Sequence, residues 1–126
     1  MGQTYTVGGQ TYVVTKVASG NAQGTVALKK AKKARTVTVP ASVKLPDGKI
    51  YQVTKINARA FAGTKATKVI VKTKKLKKSS VKGSLKGSKV KQIKVKVGNK
   101  KINKKYRAKY KKIFTKKNAG RKVKVK

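Results

Sequence analysis

Cysteine and histidine are both absent from this 126-residue chain, and Asp47 is its single acidic side chain. Without thiols there is no disulfide and no thiolate metal site, and the redox compartment leaves no mark on the sequence. With one carboxylate side chain and no imidazole, no acid/base pair and no nucleophile–His–carboxylate arrangement can be assembled. Metal clusters are excluded on the same ground, so no cofactor is expected. A catalytic Lys would need burial to lower its pKa, and none stands out among so many. The chain is therefore read as a non-enzyme. Long apolar runs are missing too: Val69-Ile70-Val71 is typical, too short for a signal h-region or a membrane span. Gly63-Thr64-Lys65 and Gly87-Ser88-Lys89 lack the spacing of a phosphate loop.

What is present is cation. Lys and Arg number 37, giving a formal net charge of +36. Intramolecular ion pairs are nearly impossible beyond Asp47 and the chain terminus, so the compact state is strained by self-repulsion that salt or polyanions relieve. Arg occurs only at 35, 59, 107 and 121. A Lys-dominated surface favours diffuse attraction over bidentate reading of an anion. The apolar share of 37% is low, but it is concentrated in periodic patches, which indicates a folded protein of one domain.

The patches repeat. Ile56 to Lys72, shifted by 24, meets the chain again: Phe61 falls on Leu85, Gly63 on Gly87, Thr64 on Ser88, Val69 on Ile93, Val71 on Val95 and Lys72 on Lys96. Over positions 61–72, eight of twelve pairs are identical or conservative. A period of ~20–29 residues marks a leucine-rich-repeat coil. Each copy places an apolar residue before a Gly, as in a helical turn ending at a left-handed residue, and then a short alternating strand. One unit cannot bury its own apolar face, whereas stacked units can.

Upstream, Thr4–Val7 and Gln10–Val17 around Gly8-Gly9 predict a hairpin. Thr25–Leu28 predicts a strand followed by a basic turn, Lys29–Lys33, and Thr36–Val39 a strand with Val37 and Val39 inward. Ser42–Leu45 and Lys49–Ile56 around Pro46-Asp47-Gly48 predict a second hairpin, in which Asp47 is a turn residue. Downstream, Asn99 is positioned to cap one long helix. Ile102, Tyr106, Tyr110, Ile113 and Phe114 form its apolar stripe, and Gly120 its stop. That helix reads as a lid over the last coil; a basic amphipathic helix on a membrane surface is the lesser alternative. Lys122–Lys126 is a final strand with Val123 and Val125 inward. The expected layout is one α+β domain over 1–126: hairpins in 1–54, two repeats in 55–97, and a helix-and-strand cap in 98–126.

These residues resemble the BspA-like leucine-rich-repeat family, whose pattern is roughly Ile-Gly-x-x-Ala-Phe-x-Gly-Cys-x-x-Leu-x-x-Ile-x-Ile-Pro-x-x-Val. Ile56, Ala60-Phe61, Gly63 and Val69-Ile70-Val71 match it, and Val37-Thr38-Val39-Pro40 with Val43 matches its strand end. Asn57 stands for the usual Gly, Thr64 for the frequent Cys and Ala66 for the Leu, and the second copy has Ser84-Leu85 where the pattern has Ala-Phe. The resemblance covers about residues 36–118. It implies a short solenoid with a parallel strand ladder, in a secreted or bacterial surface protein that works by contact. Met1-Gly2-Gln3-Thr4-Tyr5-Thr6 fits a loose myristoylation pattern, but reads better as an added start after removal of a leader.

If the valines point inward, their neighbours point outward. That row holds Lys68, Lys72, Lys94 and Lys96, joined by Lys122 and Lys124 of the last strand and, on the helix, by Lys105, Lys109 and Lys112. The expected function is a monomeric binding module for anionic polymers: teichoic acid, a sulfated glycan or other envelope polymer, with no small-molecule substrate. Sequence-independent nucleic-acid binding is the second reading, and a purely structural end-cap of a longer repeat protein the third. Against nucleic acid, the few aromatics fall in hairpins or on the lid stripe and offer no stacking platform.

Overall fold

The computed structural model describes residues 2–126. Met1, which opens the myristoylation pattern, lies outside the described residues. Among the described residues, one mixed sheet, one parallel sheet and two α-helices make an α+β fold that curls as a half-barrel. The first sheet is built from β1 (Thr4–Val7), β2 (Gln10–Lys16), β3 (Gly24–Lys30), β6 (Ile50–Ile56) and β5 (Ser42–Lys44), in that spatial order. The second is a four-stranded parallel ladder: β4 (Thr36–Val39), β7 (Lys68–Val71), β8 (Gln92–Val95) and β9 (Lys124–Val125).

Both expected hairpins form. β1 and β2 pair antiparallel across Gly8-Gly9, and β5 and β6 pair across Pro46-Asp47-Gly48 with Val43 opposite Tyr51. β3 is longer than the sequence suggests. Lys29 and Lys30, expected in a turn, extend the strand, and Lys30 lies opposite Thr11. Pairing to β2, which reaches Lys30, outweighs the low strand preference of lysine; the parallel pairing to β6 ends at Leu28.

The ladder has the register that the 24-residue shift requires. Val69 pairs with Ile93 and Val71 with Val95, while Val37 pairs with Val69 on the other side. Val37, Val39, Val69, Val71, Ile93, Val95 and Val125 are all buried. The turns preceding β7 and β8 make the same bonds. The Thr64 hydroxyl donates to the Phe61 carbonyl at 2.7 Å, and that of Ser88 to Leu85 at 2.6 Å. Gly63 and Gly87 take φ of 74° and 76°. Twenty-four residues separate Arg59 from Gly83, and they share a left-handed backbone, at φ 61° and 69°. Arg59 is the strained member, since a Cβ there meets the following carbonyl.

At the start of the ladder, the edge of β4 is met by a side chain. The Gln10 amide nitrogen donates to the Thr38 carbonyl at 3.1 Å and to the Tyr12 hydroxyl at 3.0 Å. Gln10 is buried, and it ties the hairpin sheet to the ladder.

The expected single helix is two. α1 runs Lys100–Lys111 and α2 Lys116–Ala119. Asn99 caps α1 as expected, accepting from the Ile102 N–H at 2.9 Å. The break follows from Thr115, whose hydroxyl caps α2 by accepting from the Asn118 N–H at 3.1 Å. Asn118 in turn donates to the Ile113 carbonyl left open by the break, at 2.8 Å. Such local bonds compete with helix continuation, and lysines repeating at i,i+4 weaken a long helix further. Gly120 still ends the helical region, at φ 94°, but it stops α2. A Cβ there would come within 2.9 Å of the Lys86 Cβ, so the residue also permits close stacking on the second copy. Tyr110, Ile113 and Phe114 are buried, with Tyr106 packed on the same core. Ile102 is only half-buried. One core runs from Tyr12 to Val125.

Two substitutions test this packing. Phe61 is fully buried, so Phe61→Ala should lower unfolding free energy by ~3–5 kcal/mol in denaturant melts. Ser84 occupies the position of Ala60 in the first copy, and its hydroxyl oxygen is buried without a partner. Ser84→Ala should raise stability by about 1–3 kcal/mol in the same assay, because it removes an uncompensated polar group.

Candidate anion-binding surface

Alternation along the ladder sends one set of side chains to the outer face. In register, Thr36, Lys68, Gln92 and Lys124 make one row, and Thr38, Ile70 and Lys94 the next. The Lys126 N–H donates to the Ile93 carbonyl at 2.7 Å and its carbonyl accepts from Val95 at 2.7 Å, which extends the second row to Lys126. Lys72 and Lys96 follow directly on the β7–β8 register, one residue past the strands. Adjacent strands lie ~4.8 Å apart. In the first row, neutral residues separate the cations. Like charges stand side by side at Lys94 with Lys126 and at Lys72 with Lys96, pairings that cost stability in isolation.

That crowded corner borders a groove of about 410 Å³ between the ladder and α1. On the ladder side it is lined by Gln92, Lys94, Lys96 and Lys126, and on the helix side by Lys100, Asn103 and Arg107. The spacing i, i+3, i+7 places those helix residues on one face. The helix is held in this position by Asn103, whose Oδ1 accepts from the Val97 N–H at 2.8 Å and the Gly98 N–H at 2.9 Å. Arg121, at the far side of α2, is instead committed to the fold, donating to the Val90 carbonyl at 2.6 Å.

The nine lysines singled out from sequence are therefore divided. Lys68, Lys94 and Lys124 stand on the outer face, with Lys72 and Lys96 at its margin. Lys122 lies outside β9 and joins no row, because the strand begins two residues later than expected. Lys105, Lys109 and Lys112 are exposed. At 3.6 residues per turn they face away from Lys100, Asn103 and Arg107, and Lys109 instead sits 5.5 Å from the centre of the Tyr106 ring. Lys100, Asn103, Arg107 and Lys126 were not selected from sequence. The i, i+3, i+7 pattern was the available signal, but nothing local says which helix face meets the sheet.

Asp47 is far from neutralising this surface. One of its oxygens accepts from the Lys49 N–H at 2.8 Å and the other from the Tyr51 hydroxyl at 2.7 Å, as befits a turn residue. Those bonds, the Lys49 one foremost, hold its carboxyl below the usual range. Burial pushes the Tyr110 hydroxyl, which donates to the Thr73 carbonyl, up to about 12. No helix is long and apolar enough to cross a membrane among the described residues.

The pH profile should be unusual. With no histidine and one acidic side chain, the melting temperature at fixed ionic strength should be flat from about pH 5 to 7. Asp47 has a depressed folded-state value, so its contribution is complete above the unfolded value of ~3.9 and is lost as pH falls through the folded one. Asp47→Asn should abolish that acid decline. Tyr110 works in the opposite sense. Its contribution is complete below the unfolded value of ~10 and is lost as pH rises toward its own. Tyrosinate absorbance should show Tyr110 ionising above the ordinary tyrosine value of ~10.

No protein-family model matches this chain, and no curated protein does. Among solved structures, it is similar to a leucine-rich repeat protein from Bacteroides capillosus ATCC 29799, at 18% identity over 98% of each chain with a TM-score of 0.48.

Proposed function

We propose that this protein is a non-enzymatic binding module for anionic polymers, acting through lysine electrostatics on the outer face of its ladder. The observation that carries the reading is the charge balance. A net +36 meets a single acidic side chain, and both oxygens of that side chain are engaged in a turn. Beyond the chain terminus, the remaining cations have only mobile anions or a partner as counter-charge. The 24-residue register of β7 and β8 supports reading the chain as one 126-residue domain, a short BspA-like solenoid closed by α1, α2 and β9. In this reading the protein is a secreted or bacterial surface monomer that uses no cofactor, and its ligands are sulfated glycans or envelope polymers such as teichoic acid.

Nucleic acid is less well served. Tyr106, Tyr110 and Phe114 pack against one another and the core, with ring centroids 5.8 and 6.0 Å apart, and leave no stacking platform.

Heparin, a polyol phosphate and duplex DNA titrated at several salt concentrations test the proposal. Binding at low salt should weaken steeply with added salt, with a log–log slope of ~0.9 per phosphate engaged on duplex DNA. Absence of binding at low salt would leave the chain a structural cap of a repeat array.

A further inference from the structure

The geometry points to the groove between the ladder and α1 as the principal site of this surface, one that grips a polyol chain carrying sulfate or phosphate esters. This deepens the polyanion reading and rests on it. Three observations converge. First, the groove is two-sided. Lys94, Lys96 and Lys126 approach from the sheet and Lys100 and Arg107 from the helix, around a volume of about 410 Å³ with no acidic side chain among its lining residues. An anion held there meets cations from opposite walls, whereas elsewhere on the ladder it would meet one flat row.

Second, α1 is charged against its own dipole. The N-terminal end of a helix favours anions, yet the first turn of α1 holds no acidic residue and begins Lys100-Lys101. An oxyanion beside Lys100 and Arg107 supplies the missing counter-charge. It also separates Lys94 from Lys126, which the register sets side by side.

Third, the groove holds the fittings for a defined oxyanion. Arg107 is one of only four arginines, and its planar fork matches a sulfate or phosphate group in two places. Asn103 has its oxygen occupied by two backbone N–H groups, which leaves its amide nitrogen as the free donor. The lining includes no aromatic ring, which gives a base no ring to stack on and favours a base-free chain of alcohol esters.

The test compares two triple variants of the full chain with equal net charge. One removes groove cations (Lys94→Ala, Lys100→Ala and Arg107→Ala), and the other removes cations of the opposite helix face (Lys105→Ala, Lys109→Ala and Lys112→Ala). Each is titrated with a heparin hexasaccharide, a glycerol-phosphate oligomer and duplex DNA, and thermal melts check folding. The groove variant should weaken binding of one or both ester oligomers by at least about tenfold, with less than about threefold for the opposite-face variant. Whichever oligomer responds identifies its source as sulfate or phosphate ester. The milder Arg107→Lys keeps the charge and the fold, and should still lose severalfold, because the fork is gone. Equal weakening by both triple variants would overturn the groove and leave diffuse polyanion binding standing. Tighter, groove-independent binding to DNA would overturn the base-free ligand. Failure of the unmodified chain to bind any probe at low salt would overturn both proposals.

Discussion

Cohesion in this molecule falls almost entirely to one apolar core, whose most regular part is a stack of inward aliphatic side chains. Val37, Val69, Ile93 and Val125 occupy a single row across four parallel strands, with Val39, Val71 and Val95 in the row beside it. In most domains of this size, surface ion pairs at least do not oppose folding. Here the surface is repulsive nearly everywhere, and the apolar stack together with backbone hydrogen bonds must exceed both chain entropy and that repulsion. This explains why the buried positions tolerate so little polarity: besides Gln10, the buried polar residues are hydroxyl-bearing Thr64, Thr73, Ser84 and Ser88. Three of these four bond a main-chain carbonyl.

The two copies show how far a structural unit drifts while keeping its backbone. Thr64 and Ser88 differ by a methyl and make the same pair of bonds, to the carbonyl three residues back and from the amide two residues on. Phe61 and Leu85 differ in volume and are equally buried. Arg59 and Gly83 reach one backbone conformation at different cost. What persists is the set of positions where a carbonyl needs a partner or the core needs filling.

Much of this was legible in the sequence, because it is local or periodic. Pro46-Asp47-Gly48 makes its turn with neighbours alone, and the shift of 24 fixed the pairing of Val69 with Ile93 without any long-range information. The α1–α2 break was not legible. The stripe from Ile102 to Phe114 is consistent with one helix, and the balance is tipped by Thr115 and by Asn118, whose second bond reaches Lys78. The candidate site was read only in part. Strand alternation gives Lys68, Lys94 and Lys124, but the angle of α1 depends on Asn103 holding the backbone at Val97 and Gly98. Nothing in the spacing of the lysines encodes that contact. Lys105, Lys109 and Lys112 share their helical segment with Lys100 and Arg107, and only the docking of α1 on the ladder sets Lys100 and Arg107 into the groove.

Gln10 has a consequence for life in a crowded solution. A parallel ladder offers a template at its first strand, where a second chain can add its own backbone and begin a fibre. By donating to Thr38 from the neighbouring sheet, the glutamine amide occupies an acceptor that an incoming strand needs. At the other end β9 spans two residues, too short a landing for a stable addition. Both edges of the ladder therefore give a second copy little backbone to pair with.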